Sequence, residues 1–494
     1  MARDLLYAPR MRRAVTATSF LGLAIASLLT GCPDRTISEV NPEQGRVEYK
    51  DIPVTVNRAI DILFLIDDSP SMGDKQRNLG DNFPNFINVL NTIQGGLPDV
   101  HIGITTSDLG TVAENGTGPS IGAGQQGGCS GEGKGGKLQT YGAPVMGNFI
   151  SDTLDTTGVR NKNYTGDLAT VFAAMAKGAG VNGCGFEQHL EAVKHALDKT
   201  SSAAATNMGF LRAEAFLAVI IIADEDDCSM ADKGLLGGGD NGPLGPLQSF
   251  RCTRYGITCD VGGTTFDEMN QIGPKSMCHS NESGTYLTKV QKYVDFLHGL
   301  KADPNSVIVA LIGGPSTPVA TESRAPSPQS PAVPALAHAC NYTDGQGKLE
   351  VADPSVRQSQ FINAFPNRST FTTICQNDVS DGLRLIAELL KTVLGSPCID
   401  GKLAMPVDCS VSDVSDPGKP DQVEKILKEC TTTTNDDNDP NAPCWAIISD
   451  TMNCTGGDHV ALRVKRNGQT PAPNTHVIAN CVTEVTNGSG SGSN

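Results

Sequence analysis

ILFLIDDSPSM, residues 62–72, sets five apolar residues against two aspartates and two serines. The run Ile62–Ile66 has the length and composition of a buried strand, and the Asn82–Ile93 stretch beyond it repeats apolar residues at helical spacing (Phe83, Phe86, Val89, Leu90). A strand that ends in oxygen-bearing side chains before a helix places them where ligands gather in an open α/β sheet. Asp67, Ser69 and Ser71 stand at alternate positions there. They read in two ways: as caps for free helix N–H groups, or as oxygen donors for a hard divalent cation, Mg²⁺ or Ca²⁺. The cation needs a second carboxylate from a neighbouring strand end, and Asp224 directly follows the continuous apolar run Phe216–Ala223.

Outward from this stretch, strand-like runs alternate with helical patterns. Strands are expected at Val100–Thr106, Phe216–Ala223 and Val307–Ile312, and helices at 166–178, 186–198, Tyr286–Leu300 and a stripe from Leu383 to Leu394. That alternation predicts an α/β fold: a doubly wound, mostly parallel sheet with helices on both faces, Rossmann-like. Three segments read as insertions: glycine-rich 109–137, 229–282 with Cys252, Cys259 and Cys278, and a Pro/Ser/Ala-rich exposed loop in 313–340. From residue 397 the helical stripes fade and six cysteines crowd into 398–481, which predicts a small disulfide-rich β module. Residues 486–494 read as a disordered tail.

The order of elements, with strand–D-x-S-x-S–helix and the later FLAVIIIAD, resembles the von Willebrand factor A (vWA) family across residues 57–396. The resemblance implies a metal-ion-dependent adhesion site built on Asp67, Ser69, Ser71 and Asp224, with an acidic residue of a protein ligand completing the ion's shell. It also implies a threonine ligand, whose place falls at Cys184 or Gly185. Glu187 stands close by, either as a substitute carboxylate or as a first-turn residue favoured by the helix dipole. The missing hydroxyl leaves Cys184 another role, a disulfide to Cys228.

The N-terminus reads as a targeting segment. Arg10, Arg12 and Arg13 precede the apolar stretch Phe20–Leu29, which is short for a span of about 20 residues. Leu29-Thr30-Gly31-Cys32 resembles a bacterial lipobox, so residues 1–31 are expected as a lipoprotein signal peptide, Cys32 as the lipidation site, and 32–56 as an anchored tether with a lead-in strand. Fifteen cysteines less Cys32 leave an even number, as disulfides require, and the chain lacks zinc-ribbon CxxC pairs. A net charge of −16, from 38 basic and 54 acidic residues, argues against nucleic acid as a partner.

Other motifs are weaker. The near-P-loop 131–137 lacks a following Ser or Thr. Gly118-Pro119-Ser120-Ile121-Gly122 matches a nucleophile elbow without a preceding strand. The loop from Asp413, with Glu424, echoes a calcium loop interrupted by Pro417. Glu225-Asp226-Asp227 reads as a solvated acidic turn or as acids behind the cation ligands, residues 435–439 as a solvated turn, and Trp445 as a core anchor. No nucleophile–base pair can be named, so the chain reads as a non-enzyme. The expected function is metal-assisted protein–protein adhesion or scaffold assembly by a lipid-anchored protein of the bacterial cell envelope, at the outer membrane. The alternatives are partner binding through the loops of an inactive metal site and, from another class, a metal-dependent envelope hydrolase.

Overall fold

A computed structural model describes residues 45–53, 58–93, 96–111, 131, 133–155, 159–237, 242–325, 329–395, 397–417, 419–434, 436–451, 454, 457–469, 471–472 and 475–484. The signal peptide, Cys32, Ser120 and the glycine/serine tail lie outside these residues. Among the described residues no helix is long and apolar enough to cross a membrane.

One seven-stranded sheet runs, in spatial order, Ser369–Thr373, Val307–Gly313, Phe216–Ile222, Ala59–Ile66, Asp99–Thr106, Ile150–Leu154 and Arg160–Lys162. Its first five strands pair in parallel and its last two antiparallel. Alternation along Ala59–Ile66 divides the core. Ile62, Phe64 and Ile66 enter one cluster with residues of the helices Gly73–Asn91, Leu168–Gly178 and Ser380–Val393. Leu63 and Leu65 enter another with residues of His189–Leu197, Val290–His298 and Val356–Asn363. Successive side chains of a strand point to opposite faces, so a strand covered on both sides is apolar throughout.

A second seven-stranded sheet has the order Gly45–Pro53, Thr475–Glu484, Cys409–Ser415, Val423–Glu429, Cys444–Ser449, Val460–Lys465 and Cys398–Ile399. It is antiparallel except where Val423–Glu429 meets Cys444–Ser449. Trp445 is buried in its core with Ile399, Leu427, Leu462 and Val477. A four-stranded antiparallel sheet joins Val333–Leu336, Val319–Arg324, Gly273–Ser280 and Ile257–Val261, and Cys340–Thr343 forms a hairpin with Leu349–Ala352.

The expected fold class is therefore corrected. Strand outweighs helix, 32% against 24%, and the sheets are mixed, so the protein is not a doubly wound, mostly parallel α/β structure with a small β module. Apart from the short Val423–Glu429 and Cys444–Ser449 contact, parallel pairing is confined to five strands of one sheet. The discrepancy has a physical source. Antiparallel strands with one wet face need no continuous apolar run, so those in 257–280 and 319–336 read as polar insertion or loop. Disulfides bind these parts: Cys259–Cys278, Cys340–Cys375, Cys398–Cys454, Cys409–Cys481 and Cys430–Cys444.

Candidate functional site

Parallel pairing of Ala59–Ile66 with Phe216–Ile222 brings the two strand ends side by side, and the Asp67 N–H donates to the Ile222 carbonyl at 2.9 Å. Asp67 and Asp224 thereby share one sheet edge, both buried. Carboxylate oxygens of Asp67, Asp224 and Glu225 lie within 4.8 Å of one another. The turn supplies the hydroxyls: Ser69 and Ser71 Oγ are 2.9 Å apart, and Ser71 Oγ donates to Asp224 Oδ1 at 3.1 Å. Asp67 Oδ1 accepts from the Ser69 N–H at 2.8 Å and from Ser107 Oγ at 3.1 Å. The capping reading is not met: neither the short turn Pro70–Met72 nor the helix Gly73–Asn91 has a side-chain cap, and the oxygens of Asp67, Ser69 and Ser71 bond instead to the turn, to Ser107, to one another and to Asp224.

Glu187 is buried on the segment before the helix His189–Leu197. Burial first, and the Asp67 and Asp224 charges after it, hold its carboxyl well above the usual glutamate range. Burial and Asp224 push Glu225 up likewise, and Glu225 Oε2 is buried with no hydrogen-bond partner among the described residues. Burial opposes charge on His189, but Asp67, 3.4 Å from Nε2, outweighs it and raises the imidazole.

Three cations answer this negative field. Lys75 Nζ stands 3.0 Å from Asp224 Oδ2 and 3.4 Å from Glu350 Oε2, with its side chain 1% exposed. Lys134 pairs with Asp68 and donates to the Ala179 carbonyl at 2.8 Å. Burial nonetheless pushes Asp68 up to about 6. Arg357 pairs with Asp227 at 3.0 Å.

The sequence reading missed Lys75, Lys134 and His189 as neighbours of the aspartates. The near-P-loop lysine, Lys134, is held by Asp68, and Gly133 is left-handed with φ +60° where a Cβ would strike Asp108. The turn Glu225-Asp226-Asp227 is not solvated as expected. Asp227 is buried, and Asp226 accepts from the N–H groups of Arg357 and Gln358 at the start of Val356–Asn363. Asp413 forms a bidentate pair with Arg466 at 2.7 Å rather than a calcium loop.

The Cys184–Cys228 disulfide is also corrected. Cys228 bonds Cys252, which ties the loop after Asp224 to the helix Phe250–Gly256. Cys184 is itself disulfide-bonded and offers no ligand atom. It packs beside Cys228 in one apolar cluster, so proximity was right and connectivity wrong. Cys430, Asp439 and Cys444 also converge, but both sulfurs are consumed in a disulfide. A cleft of about 710 Å³ opens beside the acidic site, lined in part by Glu187, Glu225, Phe250, Arg324, His338 and Asp353.

No protein-family model and no curated protein matches the chain. Among solved structures it is similar to the pilus adhesin SpaC from Lactobacillus rhamnosus GG (open conformation), at 10% identity and TM-score 0.28, over 92% of this chain and 42% of that one. It is similar also to the adhesive tip pilin GBS104 from Group B Streptococcus agalactiae, at 11% identity and TM-score 0.27, over 91% and 85% of the two chains. The pilus adhesin RrgA from Streptococcus pneumoniae matches at 9% identity and TM-score 0.23, over 90% and 58%. The chain thus spans less than half the length of the first of these, and likeness at this level carries no argument about role. The resemblance to the vWA family is also corrected. It rested on a short motif and an order of elements, no family model matches, and the sheets are mixed.

Proposed function

We propose that this is a non-enzymatic adhesive or scaffold-binding protein of the bacterial cell envelope, whose site at Asp67, Ser69, Ser71, Asp224 and Glu225 holds Mg²⁺ or Ca²⁺. A carboxylate of a protein partner completes the ion's shell, and the 710 Å³ cleft beside Glu187 and Glu225 takes the partner's neighbouring residues. The observation that carries the reading is the convergence of three carboxylates within 4.8 Å, two of them buried, on a hydroxyl-bearing turn. Like charges so placed repel, and an all-oxygen donor set suits a hard divalent cation. Glu187 serves as an acidic neighbour of the ion. The disulfides support an oxidising compartment, and a lipid on Cys32 supplies the anchor to the outer membrane.

Calorimetry with Mg²⁺ and Ca²⁺ should give heat and a thermal upshift that Asp67→Ala abolishes, and partner capture from intact cells should fail in chelator. Absence of heat with both ions would remove the metal from the account. A second test uses pH. With chelator present, the raised folded-state values of Glu187 and Glu225 mean that the native state binds more protons than the unfolded chain above about pH 4.3, the ordinary glutamate value. Stability should then fall as pH rises through their folded values. Saturating Mg²⁺ or Ca²⁺ should flatten or reverse that slope, and superimposable curves would count against an ion.

One observation favours a second reading. Lys75 already places a positive charge against Asp224, as a metal-free binding module with an inactive site would require.

A further inference from the structure

On the helix that follows Glu187, a second pocket carries the opposite charge. It has a volume of about 430 Å³, and Lys194, His195, Lys233, Lys292, Met230 and Tyr293 are among its lining residues. Three lysines around one pocket are unexpected in a chain of net charge −16. The acid that lines it, Glu191, is already engaged: Oε2 accepts from the Tyr293 hydroxyl at 2.6 Å, and Oε1 lies 3.3 Å from His195 Nε2. Lys194 is paired with Asp198 at 3.0 Å.

Lys233 differs. Its ammonium donates to the Gly110 carbonyl at 3.1 Å, and among the described residues no carboxylate stands within ion-pair distance of it. Burial pushes it down to about 8, although the Glu191 and Asp108 charges nearby act the other way. Lys292 likewise has no carboxylate at ion-pair distance among the described residues, and it is exposed at the pocket mouth.

We infer that this pocket binds a small organic anion, a carboxylate or phosphate head held by Lys233 and Lys292, with an apolar body against Met230 and Tyr293. Pockets of this size combine apolar walls with a few placed polar groups that fix orientation. The anion gives Lys233 and Lys292 a direct ion-pair partner, and the apolar wall favours an aromatic or aliphatic body over a bare ion. The pocket's lining contains none of the proposed cation ligands.

The test is calorimetry on the full disulfide-bonded chain with benzoate, phenyl phosphate, inorganic phosphate and neutral benzamide, all in chelator. One or both aromatic anions should bind at least tenfold more tightly than benzamide, and the stronger of the two identifies the head group. Lys233→Met, which keeps the apolar stem, should weaken that anion at least tenfold. Lys292→Met, at an exposed position, should weaken it by a smaller factor and guards against a folding defect in the first variant. Lys402→Met, in the other seven-stranded region, should change nothing. Equal affinity for benzamide, no binding of either aromatic anion, or anion affinity unchanged in both pocket variants would overturn the inference. Because chelator is present throughout, metal binding at Asp67 and Asp224 plays no part in the outcome.

Discussion

Arg357→Met should lower the stability of the parallel-strand region by about 3–5 kcal/mol, the usual cost of leaving one member of a buried ion pair alone. The guanidinium is fully buried, and its donors reach four separate segments. Nε and Nη2 bond Asp227 Oδ2 at 3.2 and 3.0 Å, Nη2 the Thr288 carbonyl at 2.6 Å, and Nη1 Ser280 Oγ at 3.0 Å and the Gly256 carbonyl at 3.4 Å. Asp227 in turn accepts from the Leu190 N–H at 2.9 Å, so one residue joins the loop after Asp224 to the helix that follows Glu187. Methionine fills part of the volume and satisfies none of the acceptors. Lysine should not rescue, because a single ammonium cannot reproduce a planar fork. Chemical denaturation followed by far-UV circular dichroism measures the loss. Trp445, the single tryptophan, sits in the other large sheet, so its fluorescence transition should move less. A dichroism midpoint within about 0.5 kcal/mol of wild type, the range of ordinary surface substitutions, would show that this network does not hold the site loops.

The Arg357 network also shows where sequence reading stopped. The runs 62–66, 216–223 and 307–312 could be seen because burial on both faces leaves an unbroken apolar signal. The helix Ser380–Val393 could be seen from its stripe. The meeting of Asp67 with Asp224 followed from placing both at strand ends, and the structure brings them together. Asp227 carries no such signal. An acid in the run DEDD reads as solvated until a partner 130 positions away is known. Lys75 is hidden for the same reason: its buried acceptors, Asp224 and Glu350, lie far along the chain. The strand Gly45–Pro53 could be guessed as a strand, but not that it pairs with Thr475–Glu484 at the far end of the chain. Disulfide connectivity was beyond reach because Cys184, Cys228 and Cys252 are all close in space.

Lys75→Met should have opposite effects on stability and on ion affinity. Without a divalent ion, removing the ammonium leaves Asp224 buried beside Asp67 and Glu225, and the protein should lose about 3–5 kcal/mol, as for any broken buried pair. With an ion, the ammonium is a competitor. A divalent charge about 5 Å from it at an effective dielectric of about 20 is repelled by roughly 6–7 kcal/mol before relaxation. Contacts with Asp74 at 3.5 Å and Glu350 at 3.4 Å give Lys75 somewhere to retreat, so much of that repulsion relaxes. Even about 1.4 kcal/mol remaining means a tenfold tighter ion in the variant. Thermal unfolding and calorimetry of Lys75→Met, in chelator and in millimolar Mg²⁺ or Ca²⁺, measure both arms. If the ion restores the stability that the substitution removes, and binds at least tenfold more tightly than to wild type, the cluster is a cation site that Lys75 tunes. If the variant is destabilised and neither ion changes it, the lysine is itself the resident cation, and partner binding falls to the loops and the cleft beside Glu225.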